Sequence, residues 1–272
     1  MKQTARIFYI LFLLIGMLTI SCGRGSIEGK GNNFTITIAG STSVMPFTEK
    51  LAEYFMLDHP DFVINVQSGG STAGVQACIN KTVDIGMSSR NLKDDEKILD
   101  AITICNDGIA AAIHPKNPIT NLTMQQIRDI FNGRIKNWKE LGWIDRKIDA
   151  VTREEGSGTR GAFEELIMEK NEIDDGIMVQ DSNGSVKEVI ATDPYAIGYI
   201  SLGLLDERIK GLSIEGISPT VENIKAGKYM IVRPFLYLTN GKPGDKVQSF
   251  IDFVLSKDGQ KILKKEGLID IL

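Results

Sequence analysis

The chain has 272 residues, with 31 Lys and Arg against 35 Asp and Glu, which gives a formal net charge of −4 at neutral pH. This acidic balance argues against a nucleic-acid partner, because binding to a phosphate backbone needs a basic protein surface. With 42% hydrophobic residues, the chain is long enough for one large domain or for two lobes with separate cores.

A short basic N-terminus precedes an apolar run at residues 7–20. A membrane-spanning helix needs roughly 20 residues, so this shorter run predicts an export signal instead. The residues around Cys22 resemble a bacterial lipobox, which implies that Cys22 becomes the lipid-bearing first residue of the mature chain. A plain cleaved signal or an uncleaved anchor remains the alternative. We therefore interpret residues 1–22 as a lipoprotein signal with its lipid-attachment cysteine, and the glycine-rich residues 23–32 as a flexible tether.

A β-rich segment, a turn of Gly, Ser and Thr, and a helical or charged segment follow one another three times in the first part of the chain. The predicted strands are residues 34–39, 62–66 and 83–87, and the turns that follow them contain Thr42 and Ser43, then Ser71, then Ser89. In an open α/β sheet, the carboxyl ends of parallel strands meet at one edge, where ligands bind. The three turns therefore predict a cluster of hydroxyl groups at that edge.

A fourth turn, at residues 153–160, follows a predicted strand and precedes a helical pattern. Small residues before a helix leave the first-turn N–H groups accessible to an anion. The hydroxyls of Ser157 and Thr159 and the guanidinium of Arg153 would add further donors. A simple N-cap and turn would explain this loop by itself, but the recurrence of such loops favours an anion site.

The remaining segments complete an α/β pattern. The charged residues 92–102 predict a helix, and two long apolar segments predict strands that cross between two parts of the chain. The crossing segments are residues 104–113 and 230–238, and the other predicted elements are a helix within residues 120–131, a strand at residues 196–201 and a final amphipathic helix at residues 247–262.

The cysteine and histidine content indicates neither a metal site nor an enzyme. Cys78 and Cys105 could form a disulfide in an exported protein or remain two buried thiols. No Cys, His or Asp cluster has metal-ligand spacing, so no metal or other cofactor is expected. An exported hydrolase with Ser157 as nucleophile is an alternative, but its flanking glycines do not form the Gly-x-Ser-x-Gly elbow. His59 and His114, the two histidines, lie in no catalytic motif.

Taken together, these motifs resemble the phosphate-binding substrate-binding proteins of bacterial ABC importers. The resemblance covers the chain after the tether and lies in its turns and in several further segments: residues 40–46, 69–74, 84–90, 122–131, 137–142, 153–159, 196–201 and 253–260. It implies a two-lobe α/β fold of the type II periplasmic-binding-protein class. Each lobe would hold a mixed sheet flanked by helices, and two strands would form the hinge. The expected lobes are residues 33–110 plus 235–272 and residues 111–234.

The resemblance also implies a function and a binding site. The expected function is capture of inorganic phosphate outside the cytoplasm and its delivery to a membrane permease, by a monomeric, lipid-anchored protein that is not an enzyme. The residues expected to bind phosphate are Thr42, Ser43, Ser71, Ser89, Arg153, Ser157, Gly158 and Thr159.

One position departs from part of the family. Some members carry an Asp where this chain has Ser89, and that Asp accepts a proton from phosphate and helps to exclude sulfate. Asp84 cannot simply be assumed to replace it, and both Asp84 and Arg90 are interpreted as structural residues. A receptor for sulfate, molybdate or tungstate is therefore the main alternative, and a surface lipoprotein for adhesion is a further one.

Overall fold

The computed structural model describes residues 33–272. The predicted signal, the lipid-attachment residue Cys22 and the tether lie outside the described residues. Within residues 33–272, no helix is both long enough and apolar enough to cross a membrane.

The described residues alternate between strands and helices. The strands are β1 (Phe34–Gly40), β2 (Phe62–Ser68), β3 (Ile85–Ser88), β4 (Asp100–Ile113), β5 (Asn121–Leu122), β6 (Asp149–Arg153), β7 (Met178–Gln180), β8 (Ala196–Ser201), β9 (Lys210–Gly211), β10 (Ser213–Ile214) and β11 (Val232–Thr239). The α-helices are α1 (Met45–Asp58), α2 (Ser71–Ile79), α3 (Met124–Phe131), α4 (Gly158–Phe163), α5 (Asn183–Thr192), α6 (Val221–Lys225), α7 (Asp245–Leu255) and α8 (Lys257–Lys265). A π-helical turn, Glu164–Met168, continues α4.

Nine of these strands form one mixed sheet in the order β2-β1-β3-β11-β4-β8-β6-β7, with β9 paired to β4. At one end of the sheet, β1 runs parallel to both β2 and β3. At the other end, β6 runs parallel to both β7 and β8. Parallel neighbours need a crossover connection, and helices provide it at both ends of the sheet.

Two antiparallel strands join the two parallel ends. The first half of β4 pairs with β11, from Asp100 to Gly108. Its second half pairs with β8, from Ile109 to Ile113. The predicted pair of crossing segments is therefore confirmed as β4 and β11.

The local sequence explains how the first strand and helix form. Ile36 and Ile38 alternate with more exposed residues along β1, and both side chains are buried. Pro46 lies in the first turn of α1, where its missing N–H costs no hydrogen bond within the helix. Phe47 and Phe55 then lie on the buried face of α1.

Two large apolar clusters lie on the two sides of the crossing strands. The first includes Ile38, Phe55, Phe235 and Phe250. The second includes Phe131, Trp138, Phe163 and Tyr199. Two cores in one mixed α/β chain are what a two-lobe fold requires, and the predicted fold class is confirmed.

The structure corrects one predicted helix and decides between the two alternatives for the cysteines. The helix predicted at residues 92–102 is wrong, because only one 3₁₀ turn forms, at Asp94–Glu96, and β4 begins soon after it. The pairing of Asp100 with Thr239 of β11 takes up the end of that segment. Cys78 and Cys105 are separate, buried free thiols.

Candidate anion-binding site

The predicted site residues lie where strands of both parallel ends finish. Ser41, Thr42 and Ser43 follow β1, and Ser71 begins α2 after β2. Ser89 follows β3, and Arg153 is the last residue of β6. Because the carboxyl ends of the strands meet at one edge of the sheet, these turns converge on a single cluster of polar side chains.

Serine hydroxyls form the part of the cluster that follows β1, β2 and β3. The Oγ of Ser41 donates to the Oγ of Ser89 at 2.8 Å. The backbone N–H of Ser89 donates to the Oγ of Ser71 at 3.0 Å, and the two Oγ atoms are 3.4 Å apart. All three side chains are buried, with at most 2% of their surface exposed. Hydroxyls buried this deeply need hydrogen-bond partners, and here they are one another's.

Arg153 approaches this cluster from β6. Its side chain is 1% exposed, and its Nη2 donates to the Oγ1 of Thr42 at 3.2 Å. The carboxylate of Glu154 accepts from the Nε of Arg153 at 3.0 Å and from the same Nη2 at 2.9 Å. The remaining nitrogen, Nη1, is buried and has no hydrogen-bond partner among residues 33–272. A buried charged donor without a partner is costly, and an anionic ligand would satisfy it.

The loop after Arg153 closes the cluster from the opposite side. Ser157 is the N-cap of α4, and its Oγ accepts the N–H of Arg160 at 3.2 Å. The hydroxyls of Ser43 and Thr159 lie 2.8 Å apart.

Gly158 is packed directly against the first part of the cluster. A methyl group built on Gly158 would lie 2.1 Å from the Oγ of Ser71 and 2.5 Å from the Oγ of Ser89. Only glycine permits this approach. The structure thus brings all eight predicted residues together, while their contact with a ligand stays a prediction.

Two further residues were missed at the sequence level. Arg233 of β11 donates to Ser43 Oγ at 3.1 Å and to Ser89 Oγ at 3.3 Å. Asp107 of β4 accepts from the Nη2 of Arg233 at 3.0 Å and from the Oγ of Ser201 at 2.9 Å. A charged residue inside an apolar β-rich segment was the available signal, because such a charge needs a buried partner.

Asn183, the first residue of α5, was also missed. Its Nδ2 donates to Ser43 Oγ at 2.8 Å and lies 3.3 Å from both Thr42 Oγ1 and Thr159 Oγ1. It occupies the same position, after a strand and before a helix, as the predicted residues. The strand before it, β7, has only three residues, and this short length hid the pattern.

Burial dominates the electrostatics of the Asp107–Arg233 pair. Desolvation raises the pKa of Asp107, although the neighbouring Arg233 acts in the opposite direction. Desolvation likewise lowers the pKa of Arg233. The pair is fully enclosed, with exposures of 0% and 1% for the two side chains. Two hydrogen bonds from Arg233 to Asp107 hold the guanidinium in a fixed position, although a buried pair of this kind contributes little net stability.

Tyr199 of β8 supports the end of β6 that bears Arg153. Its hydroxyl bonds the Oγ1 of Thr152 at 2.6 Å and accepts the backbone N–H of Arg153 at 3.3 Å. Its ring stacks on Phe163 with centroids 3.8 Å apart. Burial raises the pKa of Tyr199 to about 12, so the hydroxyl stays protonated at neutral pH.

Arg90 and Asp84 have structural partners. Arg90 makes two bonds with Glu96, at 2.6 and 2.8 Å, which confirms its interpretation as an ion-pair residue. Asp84 accepts the backbone N–H of Thr37 at 2.8 Å, so the partner of Arg90 is Glu96 and not Asp84.

The cluster lacks the arrangement that a serine hydrolase needs. The Oγ of Ser157 accepts a backbone N–H, while His59 and His114 bond Phe55 O and the Lys116 N–H elsewhere in the fold. Nucleophilic serine chemistry needs a base within hydrogen-bond reach of the hydroxyl. Within residues 33–272 there is also no group of three or more His, Cys, Asp or Glu side chains that could hold a metal ion.

What the cluster offers is a set of hydroxyl and guanidinium donors between two lobes. This fold and this site define a two-lobe binding protein of the type II periplasmic-binding-protein class.

Comparison with known proteins supports the same class. A PBP superfamily domain model matches residues 26–258. The phosphate-binding protein PstS of Bacillus subtilis is 33% identical over 288 aligned positions, covering 100% of this chain and 95% of the relative.

Solved structures give the same result. A Clostridium perfringens structure with bound phosphate has a TM-score of 0.85 and 40% identity, covering 88% of this chain and 100% of that one. An ABC-type phosphate transport receptor from Vibrio cholerae has a TM-score of 0.71 and 38% identity, covering 86% and 99%. The chain belongs to the PstS family of phosphate-binding proteins within the PBP superfamily. This is a family of binding proteins, so the expectation that the chain is not an enzyme is confirmed.

Proposed function

We propose that this protein captures inorganic phosphate outside the cytoplasm and delivers it to the membrane permease of an ABC importer. The observation that carries the proposal is the Nη1 of Arg153, which is buried and has no hydrogen-bond partner among residues 33–272. It belongs to a guanidinium whose Nη2 bonds Thr42 in the hydroxyl cluster. The relative from Bacillus subtilis is named a phosphate-binding protein, and the structure from Clostridium perfringens contains phosphate.

The binding residues in this proposal are the eight predicted from the sequence, together with Arg233 and Asn183. Hydrogen bonds to charged groups contribute roughly 1.5–3 kcal/mol each. A handful of them is compatible with a micromolar or tighter site, about −8 kcal/mol, after ordering costs are subtracted. Capture needs no chemical step, because donors that are already in position replace the water around the anion.

We also propose lobe boundaries, with one lobe at residues 33–110 plus 235–272 and the other at residues 111–234. The first apolar cluster draws its residues from 36–105 and 235–268, and the second draws its residues from 109–231. Strands β4 and β11 would act as the hinge, and closure would bring the loop at residues 153–160 onto the turns after β1, β2 and β3.

The anchor is a separate proposal, supported by the sequence around Cys22 alone. The mature protein would begin at Cys22, carry lipid on that residue and work as a monomer tethered to a bacterial membrane by residues 23–32. Intact-mass measurement of protein extracted from membranes tests this, because unmodified Cys22 or a cleavage site elsewhere would contradict it.

Calorimetric titration of the purified, ligand-stripped protein with phosphate tests the proposed function. We expect saturable one-to-one binding. We expect Arg153→Gln to weaken it by at least about tenfold, which corresponds to about 1.4 kcal/mol. Arg134→Gln is the matched control, because that arginine is 68% exposed and its ion-pair partner among residues 33–272 is the nearby Asp129. Absence of phosphate binding by the unaltered protein would refute the proposal, and tight molybdate or tungstate binding in its place would favour the other oxyanions.

A further inference from the structure

The hydroxyl of Ser43 is hydrogen-bonded to several parts of the chain at once. Its Oγ accepts from Asn183 Nδ2 at 2.8 Å and from Arg233 Nη2 at 3.1 Å. It also lies 2.8 Å from the Oγ1 of Thr159. Ser43 follows β1 in the proposed first lobe, whereas Asn183 and Thr159 belong to the proposed second lobe. Arg233 lies in β11, one of the two crossing strands.

These contacts use the whole hydrogen-bonding capacity of the Ser43 hydroxyl. A hydroxyl offers two acceptor lone pairs and one proton. The nitrogen donors of Asn183 and Arg233 take both lone pairs, so the proton of Ser43 goes to Thr159. The hydroxyl of Ser43 is therefore committed to protein groups on the far side of the site and in the crossing strands.

Asn183 is held in the orientation that its contact with Ser43 needs. The backbone N–H of Ser201 donates to the Oδ1 of Asn183 at 3.2 Å. That bond fixes the acceptor end of the amide, so the donor end, Nδ2, faces the first lobe. Ser201 is the last residue of β8, which pairs with β4. Asn183 thus extends the second lobe toward Ser43 in a fixed position.

Arg233 reaches Ser43 from the place where the chain crosses between the lobes. Asp107 and Arg233 are directly opposite each other in the register of β4 with β11, and the pairing of β4 with β8 begins at Ile109. The Oδ2 of Asp107 accepts from Arg233 Nε at 3.2 Å and from Nη2 at 3.0 Å. The Oδ1 of Asp107 accepts from the Oγ of Ser201 at 2.9 Å.

These hydrogen bonds form a closed ring. Its members, in order, are Ser43, Arg233, Asp107, Ser201 and Asn183, and all five are at most 2% exposed. A buried polar network in which every member is bonded is rigid. Separation of the two lobes breaks the ring at Ser43, because the other four members lie in the crossing strands or in the second lobe.

From this ring we infer that the hydroxyl of Ser43 is a bridge that holds the two lobes together and is not a donor to the bound anion. Arg233, Asp107 and Asn183 are positioning residues for the bridge, since they aim its donors. The inference rests on the proposed function and refines it, because Ser43 then contributes to phosphate affinity through closure. Apparent affinity scales with the fraction of protein in the binding-competent arrangement.

A double-mutant cycle in phosphate affinity tests the bridge. Ser43→Ala and Asn183→Ala each remove one side of the same bond, so each should weaken phosphate binding by about tenfold in calorimetric titration of the ligand-stripped protein. The double variant should be weakened about as much as one single variant, because the shared bond can be lost only once. Two independent contacts with the anion would instead give a loss of about a hundredfold.

Ser71→Ala is the matched control in the same lobe. The hydroxyl of Ser71 contacts the Oγ and the backbone N–H of Ser89, and neither of these groups bonds Asn183. The effects of Ser71→Ala and Asn183→Ala should therefore add in the double variant.

Small-angle X-ray scattering without ligand separates a bridge between lobes from a contact with the anion. A residue that acts only by touching the anion leaves the scattering of the ligand-stripped protein unchanged. Loss of the bridge should make Ser43→Ala more open than the unaltered protein, with a larger radius of gyration. Thermal denaturation checks that the variants are folded. Asn183→Ser takes the place of Asn183→Ala if that variant does not fold, and if neither folds, the scattering of Ser43→Ala decides.

The inference and the proposed function fail in different ways. Additive effects of Ser43→Ala and Asn183→Ala, or equal scattering of the unaltered protein and Ser43→Ala, would overturn the bridge while phosphate capture stood. Absence of phosphate binding by the unaltered protein would overturn the proposed function, and the scattering comparison would still decide whether Ser43 joins the lobes.

Discussion

At the scale of single residues, Gly158 sets how closely the two sides of the site approach. The Oγ atoms of Ser71 and Ser89 occupy the space that a side chain at position 158 would need. Neither of those serines can move away easily, because Ser89 is bonded to Ser41 and Arg233 as well as to Ser71.

Gly158→Ala tests this close approach. The added methyl should hold the loop at residues 153–160 away from the serines and weaken phosphate binding by more than about tenfold. Gly156→Ala is the matched control in the same loop, since its methyl would meet the Cβ of Thr72 at an ordinary 3.7 Å. Calorimetry on both folded variants measures the effect. Equal binding by the two would show that the approach seen here is not needed for capture.

At the scale of elements, the 3₁₀ turn Asp94–Glu96 is held by a buried ion pair. Arg90 and Glu96 are 6% and 3% exposed and share two hydrogen bonds. The bonds from Arg90 hold the pKa of Glu96 below its ordinary value of 4.5. A carboxylate with a lowered folded-state pKa stabilises the fold above its unfolded-state pKa, and that stability is lost as the pH falls through the folded-state pKa.

We therefore expect Glu96→Gln to lower the free energy of unfolding at pH 7 by roughly 3 kcal/mol, because it leaves a buried guanidinium unpaired. Asp94→Asn is the control in the same turn, and it should cost little because the Asp94–Lys97 pair is exposed. Urea denaturation at pH 7 and at progressively lower pH measures both variants. The deficit of Glu96→Gln should shrink in acid, and a deficit that grew there would contradict this account.

The sequence could predict local turns between strands and helices, but not contacts that depend on the pairing of distant strands. The turns after β1, β2 and β6 were predictable because strand, hydroxyl turn and helix follow one another locally, and the turn after β3 because serines directly follow a buried strand. The Arg233–Asp107 pair was not, since its partners lie 126 positions apart and meet only through the register of β4 with β11. The helix predicted at residues 92–102 failed for a related reason, because strand pairing with β11 overrode local helical preference.

At the scale of the whole molecule, the two sides of the site are already in contact across the cluster. The backbone N–H of Thr72 donates to Gly156 O at 3.1 Å, and Ser43 bonds Thr159. These few contacts join residues on opposite sides of β4 and β11, so an anion that bonds both sides would favour this closed arrangement by its differential affinity for it.

A crystal structure of the protein grown with phosphate would show whether this arrangement holds the anion. We expect one phosphate within hydrogen-bond distance of the Nη1 of Arg153 and of the hydroxyls of Ser89 and Thr159. Phosphate bound at another place, or a structure in which Arg153 and the serines of the first lobe contact no anion, would contradict it.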